Sequence, residues 1–202
     1  MYSKFCRTTI FGTKPYSAHA MGILQYLRSE SVYGIIKAIG EKWIMILRKA
    51  SGLRRSPHHQ LTEQEIVEIK TDILAIGADE QAFIFNMGTH TSYSDDLDKI
   101  LIRDDIFPDT EYSIHPRDMM SVRAVLAHEY YGHRFNRGTM LTKGSWNDEF
   151  SASYLAAKNT PGLTEQDRMF LILDALERAK EAGVRVSWNG FMRRVIYGID
   201  NK

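Results

Sequence analysis

At 202 residues and a net charge of +1, the chain can bury one compact core but carries no basic footprint for a nucleic-acid partner. Apolar residues at 44% and charged residues at 25% fit a folded globular protein and exclude a disordered one. The single cysteine, Cys6, excludes an intrachain disulfide framework and has no cysteine neighbour with which to bind a metal.

Residues 1–18 are turn-prone, with Gly12 and Pro15 as breakers. Met1-Tyr-Ser-Lys-Phe-Cys-Arg7 lacks the apolar core of a secretory signal, and no apolar run approaches membrane-spanning length. A cytoplasmic protein, or one exported by a non-classical route, is expected, without membrane contact. Residues from about 20 to 49 read as an amphipathic helix. Ile36, Ile39, Trp43, Ile46 and Leu47 recur at helical spacing, and Lys37, Lys42, Arg48 and Lys49 fill other positions. Ser51–Gln60 is polar, basic and rich in breakers, which predicts a linker with His58 and His59 solvated. Residues 1–60 are therefore read as a helical appendage and linker, and 61–202 as the principal domain.

That domain opens on Thr62-Glu-Gln-Glu65, a capping box. Ile66, Ile69, Ile73 and Leu74 continue an amphipathic helix to Ile76, where Gly77 ends it. Ala82–Asn86 and Lys99–Arg103 are apolar strand candidates. Between them lies a turn-rich stretch with His90, Asp95, Asp96 and Asp98, whose acids lack a calcium-loop pattern. Pro116 suits the first turn of the next helix, and proximity to that helix start accounts for His115. Beyond it, Arg134–Gly144 is a basic loop. A helix from Ser145 to about Lys158 stops at Asn159-Thr-Pro-Gly162. A further one starts at Thr164, carries Leu171, Leu173, Leu176 and Ala179, and closes at Gly183. Val184–Val186 reads as extended, and Trp188 to about Tyr197 as a short helix with Arg193 and Arg194 solvated. The expected fold class is α+β.

Chemistry concentrates in His128-Glu-Tyr-Tyr-Gly-His133, inside an apolar helical run. The zinc-protease pattern H-E-x-x-H sets its histidines four apart, on one helix face. Here they are five apart, and a five-residue step on a regular helix lands about 140° away. A π-bulge absorbs one inserted residue and restores the face, and Gly132 suits a distorted turn. His128 and His133 therefore converge only if the helix is locally overfilled. Downstream, Ser145 and Asp148 mark a helix start with an acidic first turn, where Glu149 is either a third ligand or a carboxylate favoured by the helix dipole. A catalytic zinc site takes three protein ligands and keeps one position for water. His128, His133 and Glu149 complete such a set for Zn2+, although imidazole and carboxylate also suit other divalent ions. Glu129 is then free to act as general base. Tyr93, Tyr112, Tyr154 and His90 are candidate donors to a developing oxyanion.

At these residues the chain resembles the H-E-x-x-G-H zinc peptidases typified by dipeptidyl peptidase III. That family pairs the motif with a downstream E-E-x-R-A-[ED] helix, and Asp148-Glu-Phe-Ser-Ala-Ser153 is similar to a shortened version of it. The resemblance implies Glu149 as zinc ligand and Asp148 as acceptor for a ligand histidine. Ser151 and Ser153 stand where the family has an arginine and an acidic residue, so that outer network does not carry over. The stretch from about Lys99 to Gly183 is also similar to small zincin-like metallopeptidase domains of bacterial polymorphic toxins, which implies an effector held in check by an immunity protein. A zincin-like fold implies a small sheet with an edge strand, here Lys99–Arg103, beside the metal-binding helix, where an extended peptide substrate can pair. Further helices follow. The expected function is a zinc-dependent peptidase acting on a peptide or protein. The alternatives are a toxin peptidase with a single target and a non-catalytic zinc-stabilised interaction domain.

Overall fold

A computed structural model describes residues 54–109 and 115–198; the helix expected over 20–49, Cys6 and Tyr112 lie outside them. Helix α1 spans Glu63–Ala75 and begins at the expected capping box, with Thr62 Oγ1 accepting from Glu65 N and the Glu65 carboxylate from Thr62 N. Its inward face carries Ile69 and Ile73, followed by Ile76 at the C-cap, all fully buried. Leu74 sits about 100° round from Ile73 and is 66% exposed, so it belongs to the opposite face.

Three short strands follow: β1 over Phe83–Phe85, β2 over Ser92–Ser94 and β3 over Lys99–Ile102. Their order is β1-β3-β2, with β1 parallel and β2 antiparallel to β3. The strand expected at the sheet edge is thus the central one. Ile100 and Ile102 point into the core, and pairing on both sides leaves Lys99–Ile102 no free edge for a peptide. The edge strand nearer the histidine motif is β2, whose Tyr93 pairs with Ile100.

Helix α2, Val122–Ala127, runs without a break into a π-helical turn over His128–Arg134. It is capped by Ser121, whose hydroxyl accepts from Ala124 N at 3.1 Å. Pro116 instead opens a separate 3₁₀ turn, Pro116–Met119, ahead of that cap. Then come α3 over Trp146–Asn159, α4 over Glu165–Glu181 and α5 over Gly190–Tyr197. The first core layer joins α1, the sheet and Leu126 of α2. On its other side α2 and its π turn meet α3, which packs in turn on α4. The described residues are thus an α+β arrangement.

Residues 50–202 cluster as one unit. The segment from Arg54 onward, read as linker, is tied into it. Arg54 donates to the backbone carbonyls of Asp105 at 2.6 Å, Arg117 at 3.0 Å and Met120 at 3.3 Å, and to that of Ile106. Arg103 reciprocates with a bond from Nε to the Pro57 carbonyl at 2.7 Å. His58 and His59 are exposed, as expected. Among the described residues no helix is long and apolar enough to cross a membrane.

Candidate metal centre

The five-residue step between the histidines is absorbed in the backbone. Phe135 N–H donates to the Tyr130 carbonyl, five residues back, at 3.2 Å. This widened turn brings the two rings edge to face, 4.7 Å between centroids, with Nε2 of His128 and Nε2 of His133 only 3.1 Å apart. Gly132 makes room for the arrangement in a specific way. A Cβ at this position would stand 2.6 Å from the Ala152 carbonyl oxygen and 2.8 Å from its Cα. The glycine is therefore required by the close approach of α3, not by an unusual φ.

That approach delivers Glu149. It lies in the acidic first turn of α3, with Oε2 3.5 Å from His128 Nε2 and Oε1 3.7 Å from His133 Nε2. For a tetrahedral ion with metal–nitrogen bonds of about 2.0–2.1 Å, neighbouring ligand atoms sit about 3.3 Å apart. The 3.1 Å nitrogen pair matches that spacing, and the 3.5 and 3.7 Å approaches belong to different oxygens of Glu149, one facing each nitrogen. Burial alone would raise the Glu149 carboxyl, but His128, Arg178 and His133 together hold it at about 2. Burial also pushes both imidazoles towards the neutral form. For His128 the Glu149 carboxylate, which accepts from Nε2–H of the protonated ring, and the Glu129 charge outweigh it and the ring is raised. For His133 burial is reinforced by His128, and the ring is lowered.

Glu129 is buried beside the pair, and His128, Glu129 and His133 each offer a ligand atom within 4.8 Å of the others, a group that could hold a metal ion. Two carboxylates thus approach the imidazoles. They differ in how they are held. Glu129 Oε2 accepts the Tyr93 backbone N–H at 2.8 Å, which anchors it to β2, whereas Glu149 spans both Nε2 atoms with a separate oxygen for each. The group whose single ligand atoms converge is His128, Glu129 and His133, and Glu149 adjoins it through its two oxygens. All four side chains line a cavity of about 390 Å3, together with Tyr93 and Arg178.

Asp174 and Arg178, beside the cluster, were not singled out from the sequence, and Ser153 entered there only as a departure from the family's acidic residue. His128 Nδ1 lies 2.9 Å from Ser153 Oγ, and Ser153 Oγ lies 2.6 Å from Asp174 Oδ2; Ser153 and Asp174 are fully buried. Arg178 joins α4 to the site, with Nη2 3.1 Å from Glu149 Oε2 and Nε 3.2 Å from Asp174 Oδ1. Asp174 had a signal: a carboxylate inside the apolar run Phe170-Leu-Ile-Leu-Asp-Ala175 demands a buried partner. Asp148, expected to accept from a ligand histidine, has Oδ2 3.8 Å from His133 Nδ1, beyond hydrogen-bond length. The same oxygen accepts Gly144 N at 2.9 Å.

The remaining candidates fall away from the cluster. His90 is exposed and pairs with Asp105 at 3.2 Å. The Tyr93 hydroxyl binds Asp98 at 3.1 Å, and the Tyr154 hydroxyl accepts from Asn189 at 2.9 Å. Asp98 is engaged by Arg134 and Arg137, which hold its carboxyl well below the usual carboxylate range. Arg193 and Arg194 are exposed. His115, Glu177 and Glu181 form a second group with converging ligand atoms, but Arg117 already holds Glu181 at 2.8 Å and Lys180 holds Glu177 at 2.9 Å. Comparison of the chain with protein-family models, curated proteins and solved structures finds no match.

Proposed function

We propose that the protein is a zinc-dependent peptidase, with His128, His133 and Glu149 holding the ion and Glu129 acting as general base. The observation that carries this reading is the 3.1 Å approach of the two Nε2 atoms across a π turn, with both oxygens of Glu149 spanning them. Two neutral nitrogen donors and one carboxylate suit zinc and leave a fourth position for water. Bound zinc brings the pKa of its water to near neutrality and polarises a carbonyl under attack.

The chain's own residues supply the rest. Tyr93 N–H fixes one oxygen of Glu129, which leaves the other to accept a proton from the attacking water and return it to the leaving nitrogen. The same bond commits the outward N–H of edge strand β2 to the base. A substrate running past β2 therefore meets the cavity wall of Thr91–Tyr93 without taking that donor. Lys143 sits at this wall, with Nζ 2.6 Å from Asp95 and 3.4 Å from the Tyr93 carbonyl. The resemblance to zincin-like peptidases supports the same residue roles.

A second reading, a closed non-catalytic zinc site, draws on the proximity of Glu129, which could serve as a fourth protein ligand. One variant separates the two. In a peptidase, Glu129→Gln retains zinc and loses about 10²–10⁴-fold in turnover of an unstructured protein or peptide-library substrate. Loss of zinc from that variant, with no hydrolysis by the wild type, would favour the closed site. Hydrolysis at the wild-type rate would remove Glu129 from the role of base.

A further inference from the structure

We infer that Ser153 and Asp174 are positioning residues: together they form a one-way hydrogen-bond relay that fixes a proton on His128 Nδ1 and leaves Nε2 as the lone pair facing His133 and Glu149. What the lone pair serves rests on the metal-binding reading above. The direction of the relay rests on hydrogen-bond chemistry alone.

A carboxylate only accepts hydrogen bonds, and a hydroxyl has one hydrogen to give. Asp174, on α4, is fully buried, with Arg178 Nε at 3.2 Å and Arg117 Nε at 3.6 Å from its Oδ1. Its other oxygen is 2.6 Å from Ser153 Oγ, so the serine hydrogen goes to Asp174. Ser153 Oγ then has only lone pairs to offer His128 Nδ1 at 2.9 Å, and the ring must be the donor there. Which nitrogen of an imidazole is free to bind a metal is set by the hydrogen bond the other one makes. In a neutral His128 the proton is on Nδ1, and the electron pair of Nε2 points into the cluster. This relay takes the place of a direct carboxylate partner, and it draws its acid from a helix other than the one that carries Glu149.

The geometry makes Asp174→Asn a reversal of polarity rather than a change of shape. Arg178 Nε donates to Oδ1 and so retains the amide oxygen on that side. The amide NH2 then faces Ser153 and donates to Oγ. Ser153 turns its hydrogen to His128 Nδ1, and the proton of the neutral ring moves to Nε2, where it blocks a metal bond.

Two measurements on the full chain test the relay. Ring nitrogen–proton correlation spectra of zinc-free protein carrying nitrogen-15 histidine, at a pH where His128 is neutral, report which nitrogen bears the proton. His128 is assigned by the signal lost in His128→Gln. The wild type is expected as the Nδ1–H form and Asp174→Asn as the Nε2–H form. Zinc affinity, by chelator competition, is expected to fall about 10–100-fold in Asp174→Asn. In the Ser153→Ala background, Asp174→Asn is expected to cost no further affinity, because there is no hydroxyl to turn round. An Nε2–H form in the wild type, or an equal loss in both backgrounds, would overturn the relay. If Asp174→Asn fails to fold, the wild-type spectrum decides alone. A wild type that binds no zinc would defeat the metal reading and still leave the spectrum to judge the relay.

Discussion

Gly132→Ala perturbs a point where the π turn closely approaches the backbone of α3. The added methyl carbon would meet the Ala152 carbonyl oxygen at 2.6 Å and its carbonyl carbon and Cα at 2.8 Å. These are backbone atoms, which no rotamer change can move. Relieving the closest contact to even a tight 3.0 Å requires the two elements to part by about 0.4 Å. Glu149 rides on α3 and the histidines on the π turn, so the separation falls on the ligand set. Metal–ligand distances tolerate about 0.2 Å, so the displacement exceeds what the site can absorb. Overpacking of this kind costs about 1–3 kcal/mol of stability. For a unit of this size each kcal/mol lowers Tm by about 2–4 °C. Thermal unfolding with chelator present is expected to show that drop. Zinc affinity by competition is expected to fall at least about tenfold, equivalent to about 1.4 kcal/mol. A variant with wild-type Tm and wild-type affinity would refute the claim that close packing of α3 on the turn sets the geometry of the cluster.

Other consequences follow from individual contacts. The Glu149 carboxyl is held at about 2 against an ordinary 4.5, so its ionised form stabilises the zinc-free fold above about pH 4.5, and that contribution is lost as pH falls through about 2. Glu149→Gln is therefore expected to be less stable than wild type near pH 6, with the gap closing on acidification; a gap that persists below pH 2 would contradict the assignment. Arg54 is pushed down to about 10 chiefly by burial and clamps five backbone carbonyls, that of Asp118 among them. Arg54→Ala, or trimming the chain to Leu61, is expected to cost about 3 kcal/mol or more in denaturant unfolding, and an unchanged midpoint would mark the clamp as dispensable. Because Arg117 and Lys180 already occupy the carboxylates beside His115, zinc titration is expected to saturate at one tight equivalent per chain. A second equivalent removed by His115→Ala would show that those cations yield to a metal.

Features encoded by near neighbours were legible in the sequence. The capping box of α1, the overfilled turn implied by a five-residue histidine step, and the acidic first turn carrying Glu149 each rest on residues within one or two helical turns. Features encoded by distant partners were not. β2 is Ser-Tyr-Ser, with no alternation of apolar side chains, and it is a strand only because β3 pairs with it. Lys99–Ile102 showed the pattern of a strand, but which strands flank it depends on chain segments before it folding to either side. In α1, apolar content alone admitted Leu74, although the period set by Ile69, Ile73 and Ile76 places it on the outer face. Ser153 and Asp174 are 21 residues apart and meet His128 from two different helices, so only their packing reveals that they act together. Gly132 was visible as a glycine in the right place; that a neighbouring helix backbone requires it was visible only in three dimensions.

Elemental analysis of purified protein, beside His133→Ala, bears most directly on the central claim. One zinc per wild-type chain and loss of that zinc from the variant is the predicted result. A folded wild type that takes up no divalent ion when zinc is supplied in excess, or a variant that retains it undiminished, would contradict the proposal that imidazoles five residues apart share a metal.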